Sequence, residues 1–94
     1  MSKRQVRMAQ RPVSPIRVQR LLRQDQFRFV LMALHKFERG AVARLENGAE
    51  ILFRKFGGKI KTFIRSRSRR KRAEVFKAMT CKRRHIDIVD IVPA

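Results

Sequence analysis

The chain has 94 residues, enough for one domain with a core just large enough to fold alone. Lys and Arg number 25 against 7 acids, for a formal net charge of +18, and the single cysteine, Cys81, excludes an internal disulfide and a cysteine-based metal site. Self-repulsion at this density opposes folding unless a polyanion neutralises it, which points to a nucleic-acid partner ahead of an anionic membrane or an acidic protein.

The charge is uneven along the chain. Residues 1–26 carry seven basic residues against one acid, 27–53 four against three, 54–84 fourteen against one, and 85–94 none against two. A near-neutral apolar stretch is therefore flanked by two basic ones. Residues 1–26 are predicted as a basic N-terminal arm, disordered or ordered by RNA, ahead of a folded domain over 27–94. Ser14-Pro15 has the form of a helix start, with a short helix through Leu22. The first 24 residues contain no acid, the composition of a mitochondrial presequence, but Pro12 and Pro15 interrupt the amphipathic helix such a segment needs.

From Phe27 the segment FRFVLMALHKF becomes apolar on both faces, which predicts a strand entering a barrel; a buried helix has a similar pattern over this length. KFERG offers a turn ending at Gly40. Residues 41–56 fit two templates. As a helix, Val42, Leu45, Ala49, Leu52, Phe53 and Phe56 form a stripe, but Glu46 and Glu50 repel at i,i+4 and Gly48 costs about 1 kcal/mol relative to Ala. As a hairpin, Asn47-Gly48 supplies the two positive-φ residues of a type I′ turn between runs rich in Val, Leu, Ile and Phe. The pairing is imperfect, because Leu45 then faces Glu50. The hairpin is the preferred reading.

After Gly57-Gly58, residues 57–72 are predicted as a long basic loop. AEVFKAMTC follows as a fourth strand, KRR as a turn, and HIDIVDIV (85–92) as a fifth strand, rich in β-branched residues. Five short strands with a basic loop between the third and fourth predict an all-β protein, a small five-stranded OB-fold barrel. Its predicted core is Phe29, Leu31, Val42, Leu45, Ile51, Phe53, Ile86, Ile88 and Ile91. The candidate RNA-binding residues are Arg54, Lys55, Lys59, Lys61, Phe63, Arg65, Arg67, Arg69, Arg70, Lys71, Arg72, Lys82, Arg83 and Arg84. Lysines offer point charges to phosphate, and arginines add bidentate contacts and stacking. Phe56 and Phe63 are candidate stacking platforms or core residues. His35 and His85 have no carboxylate or cysteine at ligand spacing. No catalytic triad, Walker loop or paired carboxylate site is recognisable, so no enzyme and no cofactor are expected.

At Leu45-Glu46-Asn47-Gly48, and again at Gly57 or Gly58 with Lys59-Ile60-Lys61 and at Phe63-Ile64-Arg65, the chain resembles the translation initiation factor one family, which also includes the eukaryotic and archaeal factor 1A. The resemblance implies an S1-like OB fold and a non-catalytic role in translation initiation. It also implies binding to rRNA of the small ribosomal subunit near the decoding A site, in company with other translation factors. Lys59, Lys61 and Arg65 would stand at the family's RNA-contacting loop and Phe63 at its aromatic position. A cytoplasmic location follows, or an organellar one (mitochondrion or plastid), with no membrane and no small-molecule substrate. The alternatives are a structural ribosomal protein threaded into rRNA, a helical basic DNA- or RNA-compacting protein, and a basic membrane-active helix.

Overall fold

The computed structural model describes residues 9–81 and 84–94. In chain order the elements are β1 (Ala9–Val13), α1 (Pro15–Leu21), α2 (Gln24–Lys36), β2 (Gly40–Leu45), β3 (Glu50–Phe56), β4 (Lys59–Ser66), α3 (Arg69–Thr80) and β5 (Ile88–Pro93). The five strands form one antiparallel sheet in the order β1-β4-β3-β2-β5. Strands β2, β3 and β4 are joined by tight turns, and β5 returns after α3 to lie beside β2, which is a Greek key. β1 extends the sheet beyond β4. Among the described residues no pairing joins β1 to β5, so the sheet is open.

Side chains of all three helices and of one face of the sheet make a single core. Val18 and Leu21 of α1, Val30 and Leu34 of α2, and Val75, Ala78 and Met79 of α3 join Ala41, Ala43, Leu45, Ile51, Phe53 and Ile64 of the strands. The expectation of an all-β chain is thus corrected to a β-rich, helix-on-sheet architecture.

Residues 27–34, expected as a strand, belong to α2. Val30 and Leu34 stand four apart and are buried, with Phe27, Ala33 and Phe37 packed beside them. Asp25 in the first turn and His35 and Lys36 in the last match the helix dipole. Phe29 (58% exposed), Leu31 and Met32 lie on the outer face. That apolar outer face hid the helical period. Phe29 and Leu31, expected in the core, are therefore outside it, whereas Val42, Leu45, Ile51 and Phe53 are buried and Ile86, Ile88 and Ile91 are half-buried.

AEVFKAMTC, expected as a strand, lies in α3 except for its last residue. Ser68 caps this helix, its hydroxyl accepting from the Lys71 amide, and Val75, Ala78 and Met79 recur at helical spacing toward the core. The basic loop expected over 57–72 is instead a turn, a strand and the first turn of α3. The described part of the expected arm is also folded. Ser14 caps α1 with Pro15 behind it, and Val18, Leu21 and Leu22 are in the core. Cys81 is exposed at the end of α3.

The hairpin expected at Asn47-Gly48 is present, and the helical reading of 41–56 falls. Its turn differs from the expected type. Asn47 has an ordinary negative φ and only Gly48 (φ 91°) is left-handed. Leu45 and Ala49 close a loop of residues 46–48 through the Leu45 amide to the Ala49 carbonyl (2.9 Å), with the Gly48 amide bonded to the Leu45 carbonyl (3.0 Å). This moves the register by one. Arg44, rather than Leu45, stands opposite Glu50, which removes the mismatch. The type I′ turn lies ten residues on, at Gly57 (φ 47°) and Gly58 (φ 84°) between β3 and β4.

Candidate nucleic-acid interface

Side chains alternate across a strand, so the faces of the sheet follow from register. Thr62, Ile64 and Ser66 of β4 are buried on the helix side. Lys59, Lys61, Phe63 and Arg65 therefore share the opposite face. Register adds Glu50, Leu52, Arg54 and Phe56 of β3, Val42 and Arg44 of β2, and Asp90 and Val92 of β5. The four residues singled out at 59, 61, 63 and 65 are thus brought together by a strand rather than a loop.

Two kinds of row cross this face. Pro12, Phe63, Leu52, Val42 and Val92 stand opposite one another in an apolar row. Val42 and Leu52 are 5% and 3% exposed although neither belongs to the core cluster. Beside it runs a row of alternating charge. The Arg65 guanidinium donates to Glu50 at 2.9 Å, and Arg44 bridges Glu50 and Asp90, each at 3.6 Å. Opposite charges facing across a ladder stabilise it. Arg65 therefore serves the sheet first.

On the other flank, Arg54 pairs with Lys61 and Phe56 with Lys59, beside the Gly57-Gly58 turn. Among the described residues none of these three cations forms an ion pair. Phe56 is 49% exposed, with the Lys61 ammonium 5.5 Å and the Arg54 guanidinium 5.8 Å from its ring centroid. A cleft of about 500 Å³ opens beside this group, lined by Arg39, Arg44, Glu50, Arg54, Phe56, Arg65 and the end of β5.

The other candidates are scattered. Lys55 points to the helix side, where its ammonium donates to the carbonyls of Leu34 (2.8 Å) and Phe37 (3.3 Å) and so caps α2. Arg67, Arg69, Arg70, Lys71 and Arg72 surround the start of α3, at the end of β4 far from the Gly57-Gly58 turn. Four cations in a first turn without an acid oppose the helix dipole. Arg70 meets Glu74 at 4.0 Å and Arg72 donates to the Ser66 carbonyl, while Arg67, Arg69 and Lys71 are exposed. Asn47 ties the 46–48 loop to this helix, its amide nitrogen donating to the Lys71 carbonyl (3.4 Å) and to Glu74 (3.2 Å). Arg84 is exposed after α3, and Lys82 and Arg83 lie outside the described residues.

Sequence reasoning left Phe56 undecided between core and platform and passed over Arg39 and Arg44. The missing signal was the two-residue turn. Once Gly57-Gly58 is a type I′ turn, Phe56 must oppose Lys59 and Arg54 must oppose Lys61 on one face.

Among the described residues no group of three or more His, Cys, Asp or Glu side chains is placed to hold a metal ion, and no helix is long and apolar enough to cross a membrane. No family model matches the chain, and no curated protein or solved structure matches it.

Proposed function

We propose that this is a non-catalytic RNA-binding protein that uses the open face of its sheet. The observation that carries the reading is the cluster of Arg54, Lys59 and Lys61 around exposed Phe56, none of them ion-paired among the described residues, in a chain of net charge +18. Unpaired cations on an uncovered sheet face repel one another. A phosphate backbone relieves that repulsion and releases its own counterions. Contacts of this kind hold and orient RNA but carry little sequence information.

The resemblance over residues 45–65 gives the proposal its partner, rRNA of the small ribosomal subunit near the decoding A site, with a role in translation initiation. Two features support an OB-type reading: the hairpin at Leu45–Gly48, and the Greek key of β2, β3, β4 and β5, since an OB fold is a partly open Greek-key barrel.

The test is the salt dependence of RNA binding by the full chain, with the triple variant Arg54→Ala, Lys59→Ala, Lys61→Ala beside it. Each phosphate contact contributes about 0.7–0.9 to the slope of log K against log salt, so the triple variant should lower the slope by roughly 2–3. An unchanged slope means that this face does not contact the phosphates. Co-sedimentation with isolated small subunits tests the partner: retention that persists at high salt favours a structural ribosomal protein, and release favours a factor.

A further inference from the structure

We propose that the turn end of the β3–β4 hairpin is a single-nucleotide site, with Phe56 as the platform for an unpaired base and Arg54, Lys59 and Lys61 as the phosphate contacts. The proposal rests on the RNA-binding reading and deepens it, since it specifies single-stranded over duplex nucleic acid.

Phe56 has no structural occupation. It belongs neither to the core cluster nor to the partly buried residues packed against it. Phe63, the other aromatic of this face, is half-buried in the apolar row between Pro12 and Leu52. On this face Phe56, about half exposed, offers the more open ring.

The surroundings suit a nucleotide. Lys61 and Arg54 rest over the ring in the free protein, 5.5 and 5.8 Å from its centroid. At an exposed site that attraction is weaker than the stacking of a base on an aromatic ring. A nucleotide therefore exchanges both contacts: its base replaces the cations on the ring, and the cations turn to its phosphate. Lys59, directly opposite Phe56, supplies a third positive charge. The adjoining turn is bare, because a Cβ built on Gly57 or Gly58 meets nothing within 4 Å. A strand has room to pass there, and the cleft beside Phe56 extends toward Arg44 and Arg65, which are held by Glu50. A phenyl face accepts every base, so the site is tolerant of sequence. It rejects a duplex, whose bases are already stacked and paired.

The chain contains no tryptophan, so Phe56→Trp introduces a single indole emitter at the proposed platform. The experiment uses the full chain with a homopolymeric single-stranded RNA, the same length of single-stranded DNA, and an RNA duplex. Phe56→Trp should bind single strands at least as tightly as the original protein, and its fluorescence should be quenched on binding. Phe56→Ala should weaken single-strand binding roughly 5- to 150-fold, the range that one lost base–aromatic stack produces. Its salt slope should not change, since no phosphate contact is removed, and its duplex binding should be unaffected. RNA and DNA single strands should depend on Phe56 alike, because the site uses only base and phosphate. The far-ultraviolet circular dichroism of both variants should match the parent, as the residue packs against nothing in the core. Equal single-strand binding by Phe56→Ala and the parent, an equal loss on duplex, or an unquenched indole overturns the proposal while leaving RNA binding through the sheet intact. Failure of the parent to bind any of the three polymers overturns both readings together.

Discussion

Glu50→Gln should shift stability and nucleic-acid binding in opposite directions. Glu50 is the only acid between Arg44 and Arg65 in the charged row, and its side chain is 14% exposed. Glutamine keeps the shape and an accepting oxygen but removes the charge. The 2.9 Å bond from Arg65, whose side chain is 25% exposed, then changes from an ion pair to a bond between a charged donor and a neutral acceptor, a difference of about 1 kcal/mol. The 3.6 Å pair with half-exposed Arg44 adds no more than a few tenths. For a domain of 94 residues a loss near 1 kcal/mol lowers Tm by about 4–8 °C. Binding should move the other way. Arg65 loses its anion on the proposed RNA face while Arg44 keeps Asp90, and each newly engaged phosphate steepens the salt slope by about 0.7–0.9. Thermal unfolding followed by circular dichroism and RNA titration across salt concentrations read the two effects separately. A variant with both Tm and slope unchanged refutes the charged row as a constraint on Arg44 and Arg65.

Two further substitutions test the scaffold. Gly40 has a φ of 117°, and a Cβ there falls 1.9 Å from the Phe53 carbonyl oxygen, so Gly40→Ala must push β2 from β3 and should cost about 3 kcal/mol or more. Gly57→Ala meets nothing within 4 Å and should cost only its left-handed strain, about 1–2 kcal/mol; chemical denaturation of the two variants checks the order. Lys55→Met keeps the aliphatic stem and removes the two bonds to the last turn of α2, for an expected loss of about 1–2 kcal/mol. Its RNA salt slope should match the parent, which separates Lys55 from the phosphate-facing cations in one pair of measurements.

Short-range features were legible from sequence because their chemistry is local. Ser14-Pro15 opens a helix, Asn47-Gly48 makes a turn, and the strand expected over 85–92 is present over Ile88–Pro93, because each needs mainly its own residues. The errors arose where tertiary context decides. Asn47 does not adopt positive φ; its side chain instead bonds the Ala49 amide at 3.0 Å and reaches across to α3. The sequence of α2 carries apolar residues on its outer face as well, so a period of 3.6 was indistinguishable from a strand buried on both sides. In α3 the cations of the first turn masked a helix whose buried residues are Val75, Ala78 and Met79, with Phe76 packed beside them. The candidate site was legible in composition and in part by parity, since Lys59, Lys61, Phe63 and Arg65 alternate whether or not their strand is recognised. Lys55 differs from Arg54 by one position, and in a strand that is enough to turn it to the other face.

The order of strands also sets an order of assembly. β2, β3 and β4 are joined by loops of residues 46–48 and 57–58, so their pairing closes almost no chain. β1 reaches β4, and β5 reaches β2, only by bringing together residues about 50 positions apart, some four doublings of loop length and so roughly 2.5 kcal/mol of additional closure entropy for each edge. By this topology the three central strands should pair first, and β3 and β4 among them carry the whole Phe56 cluster. The two edges should therefore be the last to join and the first to detach, with hydrogen exchange fastest in β1 and β5 and slowest in β2–β4.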